Sequence, residues 1–140
     1  MYIFNKLKEL GTYNLFDSTL PKKEDIAQLE YQLKIVLPDS YKKYLLEYSN
    51  IYFGGFELLK PFKDNDYLDI YKVINNAHKS HQLSQRYIPF MYDNGDYYCF
   101  NLDKNSPDYE VIFCSHNGTT NERWVNFLEW VEKCWISENI

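Results

Sequence analysis

Apolar residues recur with a helical period through the first third of the chain. Ile3, Leu7 and Leu10 share one side of a short helix over residues 2–10. Pro21 opens a second helix running to about Val36, with Ile26, Leu29, Leu33 and Val36 on its inner face. Pro38 breaks that helix and suits the first turn of a third, over about 39–48. Asp39 and Ser40 lie near its positive end, and Tyr41, Tyr44, Leu45 and Tyr48 form one stripe. Gly54-Gly55 then punctuates the chain ahead of a short strand, Phe56 to Leu59. Residues 67–83 read as a fourth helix with Ile70, Val73, Ile74 and Ala77 inward.

Further on, the period changes. Ile88 to Tyr92 and Tyr97 to Leu102 read as strands joined by Asp93-Asn94-Gly95-Asp96, because Asn-Gly supplies the positive φ that a type I′ hairpin turn needs twice. A third strand, Tyr109 to Ser115, follows the turn Asn105-Ser106-Pro107-Asp108. A last helix over about 123–137 places Trp124, Leu128, Val131 and Trp135 on one stripe, with Phe127, Trp130 and Cys134 beside it. Helices, then a meander, then a closing helix predict an α+β fold with helices packed on one antiparallel sheet.

Composition narrows this picture. The 140 residues are 45% hydrophobic and 19% aromatic, with five Gly and five Pro, which excludes a disordered or fibrous chain and fits one domain over 1–140. Charge is uneven. Residues 1–90 carry twelve basic and eleven acidic side chains, whereas residues 91–140 carry three basic and nine acidic. Nucleic acid is therefore not expected as a direct ligand, since it demands a basic field; a basic protein would be steered to the C-terminal third. Three cysteines with no CxxC argue against a disulfide framework or zinc knuckle. The first residues lack a signal-peptide pattern and no apolar run suits a membrane, so a cytoplasmic location is expected and the sequon Asn117-Gly118-Thr119 reads as a turn.

Few residues suggest chemistry. Asp93 and Asp96 are paired carboxylates, but the hairpin turn itself favours Asp at its ends. Cys114 and His116, two apart at a strand end, are compatible with a thiolate–imidazole pair, against the simpler reading of Cys114 as a small buried apolar group. His78 and His81 sit three apart on a helix, with His116 the remaining imidazole to complete a metal site; no third committed ligand accompanies them. Fourteen tyrosines include the adjacent Tyr97 and Tyr98; successive strand residues point to opposite faces, so one of the pair is expected buried and the other exposed, as an interface anchor or sugar platform. No phosphate loop, nucleophile elbow or zinc-protease motif is present, and no cofactor is expected.

A series of stretches resembles the SUKH superfamily, in its Smi/Knr branch. They run from Ile26-Ala27-Gln28-Leu29-Glu30 and Leu37-Pro38-Asp39-Ser40-Tyr41 through Gly54-Gly55 and Ile88-Pro89-Phe90. Gly95-Asp96-Tyr97-Tyr98-Cys99-Phe100, Val111-Ile112-Phe113 and Asn126-Phe127-Leu128-Glu129-Trp130 complete the series in family order. Asn101 departs from it, standing where an Asp is common.

The resemblance implies a curved, mainly antiparallel sheet flanked by helices, and a non-enzymatic, protein-binding role. Bacterial members are similar to immunity proteins that neutralise a cognate toxin, often a nuclease; others carry a glucan-synthesis regulator label. The favoured expectation is an immunity module holding a basic toxin on the acidic edge of the meander. Its contact set would be Asp93, Asp96, Asp103, Asp108 and Glu110, with Tyr97 or Tyr109 as aromatic anchor. These five acids also suit ordinary solvated turns. A cell-wall regulatory scaffold is the alternative, and a hydrolase using Cys114 or the aspartates a more distant one.

Overall fold

The computed structural model describes residues 2–13, 19–63, 68–103, 108–116 and 118–140. Helix α1 (Tyr2–Leu10) buries Phe4 and Leu7, and Phe4 stacks on Tyr48 at 5.0 Å. The chain leaves it through Gly11 into β1 (Thr12–Tyr13), which pairs antiparallel with β2 (Ile51–Tyr52). A Cβ at Gly11 would overlap the Ile51 side chain, so this close approach requires glycine.

Helix α2 (Lys23–Leu33) stops three residues before the predicted end. Lys34 adopts φ 58°, a left-handed C-cap, which turns Val36 out to 67% exposure. The Glu30 carboxylate then accepts from the Leu37 N–H at 2.7 Å and meets Lys42 at 3.4 Å, fastening α2 to α3 (Asp39–Glu47). Pro38 directly precedes α3, whose Tyr41, Tyr44 and Leu45 are buried, as its periodicity predicts.

The strand predicted over 56–59 is instead an extended segment with single bridges to changing partners: Phe53 with Phe56, Leu58 with Met91, Lys60 with Asp69. No regular ladder forms because the segment crosses between elements, although the Leu59 N–H donates to the Phe90 carbonyl at 2.9 Å. Helix α4 (Ile70–Lys79) is shorter than the predicted 67–83. The Asp69 carboxylate caps the Tyr71 and Lys72 N–H groups at its start, and Ser80 follows as the C-cap. Tyr67 lies outside the described residues.

Four antiparallel strands follow in spatial order β3 (Tyr87–Asp93), β4 (Asp96–Asn101), β5 (Val111–Ser115), β6 (Gly118–Trp124). Asn94 and Gly95 take φ 49° and 92°, so the β3–β4 turn has the positive φ at both central positions that Asn-Gly predicts. The predicted turn 105–107 and Asn117 fall outside the described residues.

Strand β6 corrects the sequence reading, which assigned Trp124 to the last helix. Trp124 pairs with Val111, and the helix α5 (Phe127–Trp130) starts only after Asn126, whose side chain accepts from the Glu129 N–H at 2.9 Å. The run Thr119-Thr120-Asn121-Glu122-Arg123 carries no apolar alternation, so periodicity cannot report it. After α5 the backbone widens into a π-turn over Val131–Ile136. Trp130 and Trp135 both stay inward there, 6.1 Å apart, and the Trp135 indole donates to the Phe53 carbonyl at 2.9 Å.

An aromatic core lies on one face of the sheet, while Cys99, Ile112 and Cys114 are buried on the other. Tyr41 meets Phe100 and Phe127 edge-on at 5.0 and 5.1 Å, and Phe90 meets Trp130 at 4.9 Å. The result is an α+β fold that, among the described residues, has two antiparallel sheets of two and four strands and five α-helices, with α3 and α5 against the large sheet's aromatic face.

Candidate docking face

Strand alternation fixes what the other sheet face displays. Tyr98 and Phe100 point into the aromatic core, so Tyr97 and Cys99 point away from it. Their cross-strand partners, Cys114 and Ile112, share that second face. The chain between α4 and β3 folds over it: the Leu83 N–H donates to the Ala77 carbonyl, Gln82 takes φ 56°, and the Leu102 N–H donates to the Arg86 carbonyl at 2.8 Å.

This cover stops short of the hairpin. A cavity of about 430 Å³ remains there, floored by Tyr97 and Cys114, walled by Leu83 and Tyr87, and rimmed by His81 and His116. Tyr97 is only 4% exposed and Tyr98 is half-buried against the core, so neither is the exposed tyrosine that alternation predicts, because both faces of the sheet are covered here. Its hydroxyl hydrogen-bonds with His81 Nδ1 and its ring packs on Tyr92 at 5.0 Å. Burial, with Tyr92 and Cys99 nearby, pushes its phenol up to about 12.

The thiols here differ. Cys99 is pushed upward by burial, then by its hydrogen bond with Cys114. Cys114 is held below the ordinary thiol range by that same bond, with Arg123 adding to it and burial opposing it. Cys114 lines the cavity at 1% exposure, and the His116 ring turns to Asp96 rather than to it. Among the described residues no imidazole hydrogen-bonds to Cys114, so the thiolate–imidazole pairing allowed by sequence spacing is not assembled. His78 and His81 are also engaged separately, on the Tyr87 carbonyl at 2.8 Å and on the Tyr97 hydroxyl.

The seven residues expected as a contact set fall into two groups, at opposite ends of β4, separated by about 17 Å at the usual strand rise. At the hairpin end, Asp96 accepts from the His116 N–H at 2.9 Å, with His116 Nδ1 at 3.1 Å from the same oxygen. Asp93 is exposed there, with no Lys or Arg partner among the described residues. Tyr97 belongs to this end as the cavity floor rather than as a protruding anchor.

At the far end Arg86 Nε donates to Asp103 at 2.8 Å. Arg123 and the Asn101 amide donate to Glu110 Oε1 at 2.7 and 2.9 Å. Tyr109 is half-buried against Phe100, and Asp108 is exposed. His81, Leu83 and Cys114 complete the cavity without having been part of the expected contact set. The one signal available for them was that Tyr97, with its strand parity, needed something to cover it.

A family described as SMI1-KNR4 cell-wall, of the SUKH group, matches residues 2–136. The chain belongs to this SUKH family. A crystal structure of a protein from Pseudomonas syringae pv. tomato is similar, with TM-score 0.80, 24% identity and 96% of each chain covered, which concerns the fold. No curated protein matches the chain. SUKH membership supports a non-catalytic, protein-binding module in general terms. Among the described residues no helix is long and apolar enough to cross a membrane.

The motif positions of this SUKH chain are mostly architectural. Leu37 and Tyr41 are core residues, Pro38 precedes a helix, and Gly95 holds a positive φ. Asn101 gains a reason for its departure: its amide both donates to Glu110 and accepts from the Asp103 N–H at 3.0 Å. A carboxylate there would face Glu110 with no proton to give.

Proposed function

We propose that this SUKH protein is an immunity-type binding module that captures a basic toxin domain at the hairpin end of its four-stranded sheet. The observation that carries the reading is the unequal neutralisation of carboxylates. Asp103 and Glu110 are held by Arg86 and Arg123, whereas Asp93 and Asp96 have no Lys or Arg against them among the described residues. Carboxylates ion-paired with an arginine of the same chain steer a partner weakly, whereas Asp93, which is exposed, and Asp96, which is hydrogen-bonded to His116, keep more of their charge available to set encounter rate and register. A nuclease toxin, with a cleft built to attract phosphate, is the partner class such a surface fits. Asp108 and Tyr109 lie beyond the paired end and belong at most to the margin of the contact.

The family's cell-wall designation favours a second reading, a regulatory scaffold for cell-wall assembly. Co-purification with a toxin domain encoded beside its own gene separates the two. The immunity reading expects a stable complex and protection of cells expressing that toxin. No complex and no protection with any neighbouring toxin overturns it.

A further inference from the structure

We infer that an arginine side chain of the bound partner stacks on a shelf of three rings, Tyr98, Phe113 and Trp124, beside the hairpin on the aromatic face of the four-stranded sheet. The inference deepens the docking reading and rests on it. Asp93 pairs with Asp96, and Asp96 stands two residues before Tyr98, so strand alternation sets both carboxylates on the same face as the shelf. Tyr98 lies opposite Phe113, its ring 4.9 Å from that ring and 5.8 Å from Trp124. All three rings are half-buried. Tyr98 is fixed in advance, with Trp130 packed on it at 5.2 Å and the Cys134 thiol donating to its hydroxyl at 3.5 Å, so little order is lost on binding.

Two further carboxylates border the shelf, and both are exposed. Glu122 shares a face with Trp124 by alternation, and Glu138 Oε2 lies 3.6 Å from the Cys134 sulfur. Burial first, then Cys134, then Glu138 and Glu122 push the Tyr98 phenol above its ordinary range, so both acids act on this ring. The basic neighbours in sequence are turned to other acids, Arg123 to Glu110 and Lys133 to Glu129. Ring faces and negative charge together fit a cation and repel a phosphate or an acidic peptide. A guanidinium suits them better than an ammonium, being planar and weakly hydrated, with donors around its edge that reach carboxylates while its face stacks. Tyr98 is tilted 40° from Phe113 and 62° from Trp124, so the rings cup one compact group rather than lay out a flat track for successive sugars.

The test follows the ¹⁵N-labelled protein at low salt with acetyl-Gly-Arg-Gly-amide, its lysine and citrulline counterparts, and a linear glucan tetrasaccharide. The arginine peptide should shift the Trp124 indole N–H and the Tyr98 and Phe113 amides saturably. The lysine peptide should bind several-fold more weakly, and the citrulline peptide and the sugar not at all. No shifts with the arginine peptide, lysine or citrulline binding as tightly, or shifts with the sugar alone, overturns the inference. Glu122→Gln with Glu138→Gln, both at exposed positions, should leave the fold intact and weaken a captured toxin domain by about tenfold. If that variant holds the toxin at full affinity while charge reversal at Asp93 and Asp96 releases it, the shelf inference fails and the docking reading stands. If the peptides behave as expected but no toxin is captured, the docking reading fails instead.

Discussion

The two ends of the four-stranded sheet carry the same kind of side chain and use it differently. At the far end Asp103 and Glu110 each find an arginine, and Glu110 also holds the buried Asn101, so these acids join strands and loops together. At the hairpin end Asp96 fastens the next turn through His116 while Asp93 is exposed to solvent. The negative balance of residues 91–140 is thus divided between structural and presented charge. A net charge counted along sequence does not separate them; the positions of two guanidinium groups do.

The largest expected effect comes from reversing the presented pair. Asp93→Lys with Asp96→Lys should weaken a captured toxin domain by about a hundredfold in calorimetric titration and make the remaining affinity less sensitive to salt. Folding should persist at some cost in stability, since Asp93 is an exposed turn residue but Asp96 also accepts from the His116 N–H. Breaking the far end should do the opposite. Glu110→Ala strands the Arg123 guanidinium and the buried Asn101 amide, and should cost about 1–3 kcal/mol in urea denaturation with toxin affinity unchanged.

A smaller effect belongs to the cavity floor. The Tyr97 phenol sits near 12 in the folded protein against about 10 when unfolded, so the folded form keeps its proton longer. The stability this contributes is complete below about pH 10 and is lost as pH rises toward 12. Denaturant midpoints measured from pH 9 to 12 should therefore fall less steeply in Tyr97→Phe than in the parent. The smallest effect is at the exposed Arg86–Asp103 pair: Asp103→Asn should change stability by no more than about 0.5 kcal/mol.

Much of the scaffold is legible from local pattern. The Asn94-Gly95 turn, the Tyr41–Tyr44–Leu45 stripe and the inward face of α4 each follow from spacing or turn chemistry within about ten residues. Strand β6 is not, because an edge strand made of Thr, Asn, Glu and Arg shows no apolar alternation and is defined by its pairing with β5. The π-turn after Trp130 is equally hidden, since the same apolar residues fit an ordinary helical stripe.

The candidate site divides in the same way. Asp93, Asp96 and Tyr97 are placed together by the hairpin, a local feature. What excludes Asp103 and Glu110 from the presented set is Arg86, 17 positions before one, and Arg123, 13 positions after the other. Such pairings depend on register, which spacing along one strand does not encode. The cavity's far wall, Leu83 and His81, arrives through a loop whose path depends on a left-handed Gln82.

The division between presented and structural charge is tested most directly by amide hydrogen exchange on the protein alone and in complex with a toxin domain that the proposed function expects to co-purify with it. Slowed exchange confined to residues 93–98, 113–116 and 122–124, with 101–103 and 108–110 unchanged, is the predicted footprint. Protection centred on the arginine-paired end, with the hairpin left as it was, would contradict the account.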